Sequence, residues 1–96
     1  MSYHLVILRK AQIEMSEAID WYEQQQTGLG KKFILSLESF IKRISLSPFH
    51  FPEKSSPFRE AYLKKFPYLV IYQVNIDEVV IYSVFHVKQY PDKKYL

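Results

Sequence analysis

The sequence predicts an α+β domain in the order β-α-α-β-β-β, with an antiparallel helical hairpin packed on a small, mainly antiparallel β-sheet. Three observations predict it. Residues 11–47 carry apolar side chains at helical spacing, interrupted once at Gly28-Leu29-Gly30. Residues 68–75 and 79–86 are two apolar runs rich in β-branched and aromatic residues, joined by the polar break Asn75-Ile76-Asp77-Glu78. A single apolar run, Tyr3 to Leu8, precedes the helices. Helices and strands in separate blocks point to helices gathered on one face of a sheet rather than to alternating βαβ units.

Tyr3–Leu8 reads as the first strand and stops at Arg9-Lys10. In residues 11–26, Ala11, Met15, Ala18, Ile19 and Tyr22 share a stripe, and Gln12, Glu14, Glu17, Asp20 and Glu23 are expected to face away. Gly28 suits a left-handed cap at the end of this helix. The second helix begins at Leu29-Gly30, lays Phe33, Leu37, Phe40, Ile41 and Ile44 inward, and ends before Pro48. The short connection makes the two helices an antiparallel hairpin. Residues 48–58 hold three prolines and read as an irregular loop. Strands follow at Arg59–Leu63, Tyr68–Asn75 and Val79–His86, and Pro91 opens a polar tail. The last two strands are apolar on both faces, as in strands covered on each side. One face is covered by the helices. The other needs the chain's own tail, a second copy or a partner.

Ninety-six residues suit one domain spanning residues 1–96, without room for a separate cofactor domain. Hydrophobic residues make up 48% of the chain, which excludes a disordered class. The chain has no Cys, so disulfides, thiolate zinc sites and cysteine nucleophiles are excluded. Its two glycines lie in one segment, which excludes a glycine-rich phosphate loop. No apolar run approaches the about 20 residues of a membrane span, and the run before Arg9 is too short for a signal peptide. A cytoplasmic location is the expectation.

The charge is uneven. Residues 11–26 carry four acidic residues and no Lys or Arg. The remainder carries 13 basic and 6 acidic residues, a net +7. One acidic helix on a basic body suggests an anionic partner for the body.

The groups able to do chemistry gather around the last three strands. Arg59 opens the first of them, Lys64 and Lys65 precede the second, and His86 ends the third, followed by Lys88, Tyr90 and Tyr95. Histidine titrates near neutrality and suits acid–base work. Each has a plainer reading. His86 can hydrogen-bond the backbone, Arg59 can anchor the sheet through an acid, and the lysines can solvate a strand end. Trp21 fits either a core edge or a partner contact. His4 and His50 have no ligand pattern around them, so neither a metal nor another cofactor is expected.

The whole ordered set resembles the ParE/RelE toxin superfamily, particularly its plasmid-stabilisation branch. Ala18…Trp21-Tyr22-Glu23…Gly28-Leu29-Gly30…Phe33…Leu37…Ile44…Pro48 is similar to its helical half. Arg59…Leu63…Phe66-Pro67-Tyr68-Leu69-Val70-Ile71-Tyr72 and Val84-Phe85-His86 are similar to its sheet half. The resemblance implies the toxin of a type II toxin–antitoxin pair, neutralised by a cognate antitoxin whose segment covers the free apolar face. It implies one of two mechanisms: a ParE-like toxin that binds and poisons DNA gyrase, or a RelE-like endoribonuclease that cuts messenger RNA on the ribosome without a metal. A non-toxic member acting only in a transcriptional complex with its antitoxin is a third reading.

In the nuclease reading His86 is base or acid, and Lys64 and Arg59 hold phosphate. Many relatives carry His-x-x-Arg before the family's proline. Here that place reads His86-Val87-Lys88-Gln89-Tyr90-Pro91, so Gln89 stands for the arginine, and strand alternation turns Lys88 differently. The expectation is therefore a ParE-like binder ahead of a metal-independent endoribonuclease, with Arg59, Lys64, Lys65, Lys88 and Tyr90 as target or partner contacts.

Overall fold

The computed structural model describes residues 3–88 together with 94 and 95. The expected roles of Gln89 and Tyr90 lie outside the described residues. The chain runs β1 (His4–Ile7), α1 (Arg9–Gln25), α2 (Leu29–Leu46), β2 (Glu53–Ser55), β3 (Phe58–Tyr62), β4 (Tyr68–Val74) and β5 (Glu78–His86). The strands form one sheet in the order β1-β5-β4-β3-β2. β1 lies parallel to β5, and the other neighbours are antiparallel. The expected α+β architecture is therefore present, with a mixed sheet and one added strand.

The helices form where the apolar spacing requires. Ala11, Ala18 and Tyr22 of α1 and Phe33, Leu37, Phe40, Ile41 and Ile44 of α2 are buried against Val70, Tyr72, Val79, Ile81 and Val84 of the sheet. α1 begins at Arg9, two residues earlier than the apolar stripe indicates, because Gln12 donates both its backbone N–H to the Leu8 carbonyl and its side-chain amide to the Ile7 carbonyl. Gly28 takes the left-handed conformation expected, with φ of 91°. The open N-terminus of α2 is satisfied from the preceding helix. The Glu23 carboxylate accepts the Gly28 N–H at 3.0 and 3.1 Å and the Gly30 N–H at 3.1 Å.

Three expectations are corrected. Residues 48–58 are not wholly irregular, because Glu53–Ser55 pairs with β3 as a short edge strand between Pro52 and Pro57. Glu14 and Glu23 do not face away, since Glu23 caps α2 and Glu14 reaches the sheet. The second sheet face is not bare. Leu69, Ile71 and Phe85 are at most 2% exposed there, packed against Phe58, Tyr82 and Tyr95. Of the three covers weighed, the tail supplies this one, so the apolar face needs no antitoxin segment to explain it. Glu60, itself buried on β3, holds the tail through Lys94 at 3.2 Å and the Tyr95 hydroxyl, and the Tyr82 hydroxyl donates to the Tyr95 carbonyl at 2.7 Å.

Candidate functional site

A β-bulge decides where His86 points. Val79 and Ile81 of β5 face the helices, so strict alternation would send Ser83 and Phe85 the same way and turn His86 outward. The pairing instead shifts between Ile71 and Tyr72, which face Ser83 and Ile81, leaving Tyr82 as the extra residue. An extra residue reverses the parity of everything beyond it. Val84 thereby enters the helix-side core, Phe85 enters the opposite cluster, and His86 falls on the helix side.

Glu14 stabilises this irregularity. Its Oε1 accepts the Ser83 hydroxyl at 2.9 Å and the Val84 backbone N–H at 3.0 Å, and its Oε2 pairs with Lys10 at 3.0 Å. The sequence did hold a signal for this. Glu14 lies three residues after Ala11 and four before Ala18, on the inner stripe rather than beside it.

His86 pairs across the ladder with Tyr68, and the two rings meet edge-on at 4.9 Å. Its Nδ1 accepts the Lys88 backbone N–H at 3.1 Å. Together they close one end of a cleft of about 430 Å³ between α1 and the end of β5, whose other walls include Glu14, Glu17, Trp21 and Tyr22. The electrostatics there are negative. Burial, followed by the charges of Tyr22, Glu14 and Glu17, raises the Tyr68 hydroxyl above its usual pKa.

Lys64 and Lys65 stand in the turn before β4 and line a different hollow. This groove, of about 730 Å³, runs along α2 with Lys32 and Arg43 as further cations and Leu35, Phe40 and Phe66 as its apolar surface. The Val87 N–H donates to the Pro67 carbonyl at 2.9 Å, so the lysine turn and His86 share one end of the sheet. Phe66 separates them on the helix side, wedged edge-on against Tyr22 at 5.0 Å and Phe33 at 5.1 Å.

Arg59 is elsewhere. It pairs with Tyr72, four residues along β4 from the partner of His86, or roughly 13 Å away along the strand and two strands across. Its guanidinium donates to the Phe51 carbonyl at 2.7 Å, lies 3.8 Å from Glu53 and rests over the Phe49 ring at 5.0 Å. Lys88 is exposed beyond β5. The structure thus brings Lys64 and Lys65 together, sets His86 in a neighbouring cleft, and keeps Arg59 in a clamp on the β2 side.

Residues 5–91 match the model of a family described as the ParE toxin of type II toxin–antitoxin system, parDE. The chain belongs to the ParE toxin family. Among solved structures, a chain of the chromosomal ParDE toxin–antitoxin system from P. aeruginosa superposes with a TM-score of 0.81 at 18% identity, covering 91% of this chain and 98% of that one. A doubly substituted E. coli RelE toxin in the free state gives 0.60 at 17% identity, covering 92% and 86%. Both share the fold with this ParE-family chain. No curated protein sequence matches it. Among the described residues, no helix is long and apolar enough to cross a membrane.

Proposed function

We propose that this ParE-family chain is a toxin that arrests growth by binding a protein target, DNA gyrase, and that a cognate antitoxin holds it inactive. One observation carries the choice of binding over RNA cleavage. The three groups that a metal-free nuclease would need do not face a common phosphate. His86 looks into a cleft walled by Glu14 and Glu17, Lys64 lines a separate groove, and Arg59 is held by Phe51 and Glu53. In-line attack by a 2′-hydroxyl needs base, acid and cations converging on one phosphate, and carboxylates beside the base repel that phosphate.

The groove at Lys32, Arg43, Lys64 and Lys65 supports the antitoxin half of the proposal. Four cations around exposed Leu35 suit a segment that carries carboxylates beside an apolar anchor. Lys88, exposed beyond β5, extends the contact surface, while Arg59 shapes it by fixing the loop at Phe49–Phe51.

The test is induction of the chain alone, followed by assays of the purified protein. Growth arrest with a DNA-damage response, inhibited supercoiling by the host's gyrase and intact ribosome-bound messenger RNA are expected. Ribosome-dependent cleavage that disappears in His86→Ala or Lys64→Ala would instead establish a nuclease. Unimpaired growth during confirmed soluble expression would leave a non-toxic member of the family.

A further inference from the structure

We infer that the cleft between α1 and the end of β5 docks an arginine side chain of a protein partner. The inference rests on the cleft itself and not on the identity of the toxin's target.

The lining is suited to a flat cation. Glu14 and Glu17 supply carboxylates, and Trp21, Tyr22, Tyr68 and His86 supply ring faces and edges, with no Lys or Arg among the lining residues. The two carboxylates are not equivalent. Glu14 is already engaged by Ser83, Val84 and Lys10, whereas Glu17 makes no hydrogen bond or ion pair among the described residues. Trp21 is 55% exposed although it is the largest side chain of α1. It stands edge-on to Tyr22 at 5.1 Å, leaving ring surface open beside Glu17, one helical turn earlier.

Aromatic faces attract cations through the ring quadrupole, and a carboxylate at the same site adds charge-assisted hydrogen bonds. A guanidinium satisfies both at once. It stacks flat on a ring while its edge donates to a carboxylate, which a compact, strongly hydrated ammonium does less well. A volume of about 430 Å³, open to solvent along α1, admits a long side chain projecting from a partner's backbone. Two of the four acidic residues of α1, Glu14 and Glu17, therefore face this cleft.

Trp21 is the chain's one tryptophan, so its fluorescence reports on this cleft. The probe is an acetylated, amidated peptide of alanine and serine with one central arginine, compared with twins carrying citrulline or lysine there, and with free spermidine. A saturable change with the arginine peptide is expected, about tenfold weaker with citrulline. Glu17→Gln should weaken the arginine peptide by about tenfold, while Asp20→Asn, the same charge change one turn away on the exposed surface, should not. Circular dichroism checks that both variants stay folded. The inference is overturned if the arginine peptide gives no saturable change or is matched by citrulline. It is equally overturned if spermidine or the lysine twin binds more tightly, or if Asp20→Asn weakens binding as much as Glu17→Gln. None of these outcomes bears on gyrase inhibition, so the two readings fail separately.

Discussion

Arg59 shows how a residue that looks reactive in the sequence can be occupied by the fold. Its guanidinium joins the Phe51 carbonyl, the Glu53 carboxylate and the Phe49 ring, tying the loop after α2 to β3. The Glu53 contact at 3.8 Å is half exposed on the Glu side and contributes little. The part-buried bond to Phe51 matters more, because truncation leaves that carbonyl without its donor. Arg59→Ala should therefore lower stability by about 1–3 kcal/mol in urea unfolding. Antitoxin binding, measured where the variant is fully folded, should change much less than in a Lys64→Ala, Lys65→Ala variant. A loss of antitoxin binding without a loss of stability would place Arg59 in the contact surface instead. His86 is occupied in a milder way, through the bond from the Lys88 N–H to its Nδ1, and its ring still borders the cleft.

At the scale of elements, the helical hairpin depends on one close approach. A Cβ added to Gly30 would sit 2.9 Å from the Ile19 carbonyl oxygen and 3.0 Å from Glu23 Oε1. The first of these is backbone and cannot rotate aside, so α1 and α2 would have to separate. Gly30→Ala should cost about 1–3 kcal/mol despite alanine's better helix propensity, as a shift of the denaturant midpoint will show. The left-handed Gly28 and both helical stripes were legible in the sequence, because spacing and glycine placement are local signals, whereas the close approach at Gly30 depends on how the two helices pack. The β2 strand was not, since three residues between two prolines carry no periodicity. The bulge at Tyr82 was hidden for a related reason. β5 is apolar on both faces, so a reversal of parity leaves no trace in the pattern, and the facing of His86 could not be read. Glu14 was legible in principle as a carboxylate on the inner stripe. The separation of Arg59 from His86 was not, because it follows from the sheet order and register rather than from proximity along the chain.

Across the whole molecule, the hydroxyls of buried Tyr72 and part-buried Tyr95 tie the two faces of the sheet to its surroundings. On the helix side Tyr72 donates to the Pro48 carbonyl at 2.5 Å and anchors the loop after α2. On the opposite face Tyr95 donates to Glu60 and seals Leu69, Ile71 and Phe85. Removing residues 94–96 should uncover that face, seen as increased binding of an apolar dye and reduced stability. The same arrangement predicts alkaline instability. Burial, outweighing the opposing influence of Arg59, pushes the Tyr72 hydroxyl up to about 12. Burial and the Glu60 carboxylate push Tyr95 to about 12 as well. Both hydroxyls ionise near 10 in the unfolded chain. Below pH 10 both states keep these protons, and the tyrosines confer no pH dependence. Between about 10 and about 12 the unfolded state releases protons that the folded state retains, so stability falls as pH rises. Each tyrosine contributes a slope of up to about 1.4 kcal/mol per pH unit in that window. Urea unfolding across it should show this decline, with tyrosinate absorbance appearing as the chain unfolds. Tyr95→Phe should flatten the slope by one tyrosine's share while lowering stability at neutral pH through the lost bond to Glu60. An unchanged slope in that variant would mean that the tail leaves the sheet before Tyr95 ionises.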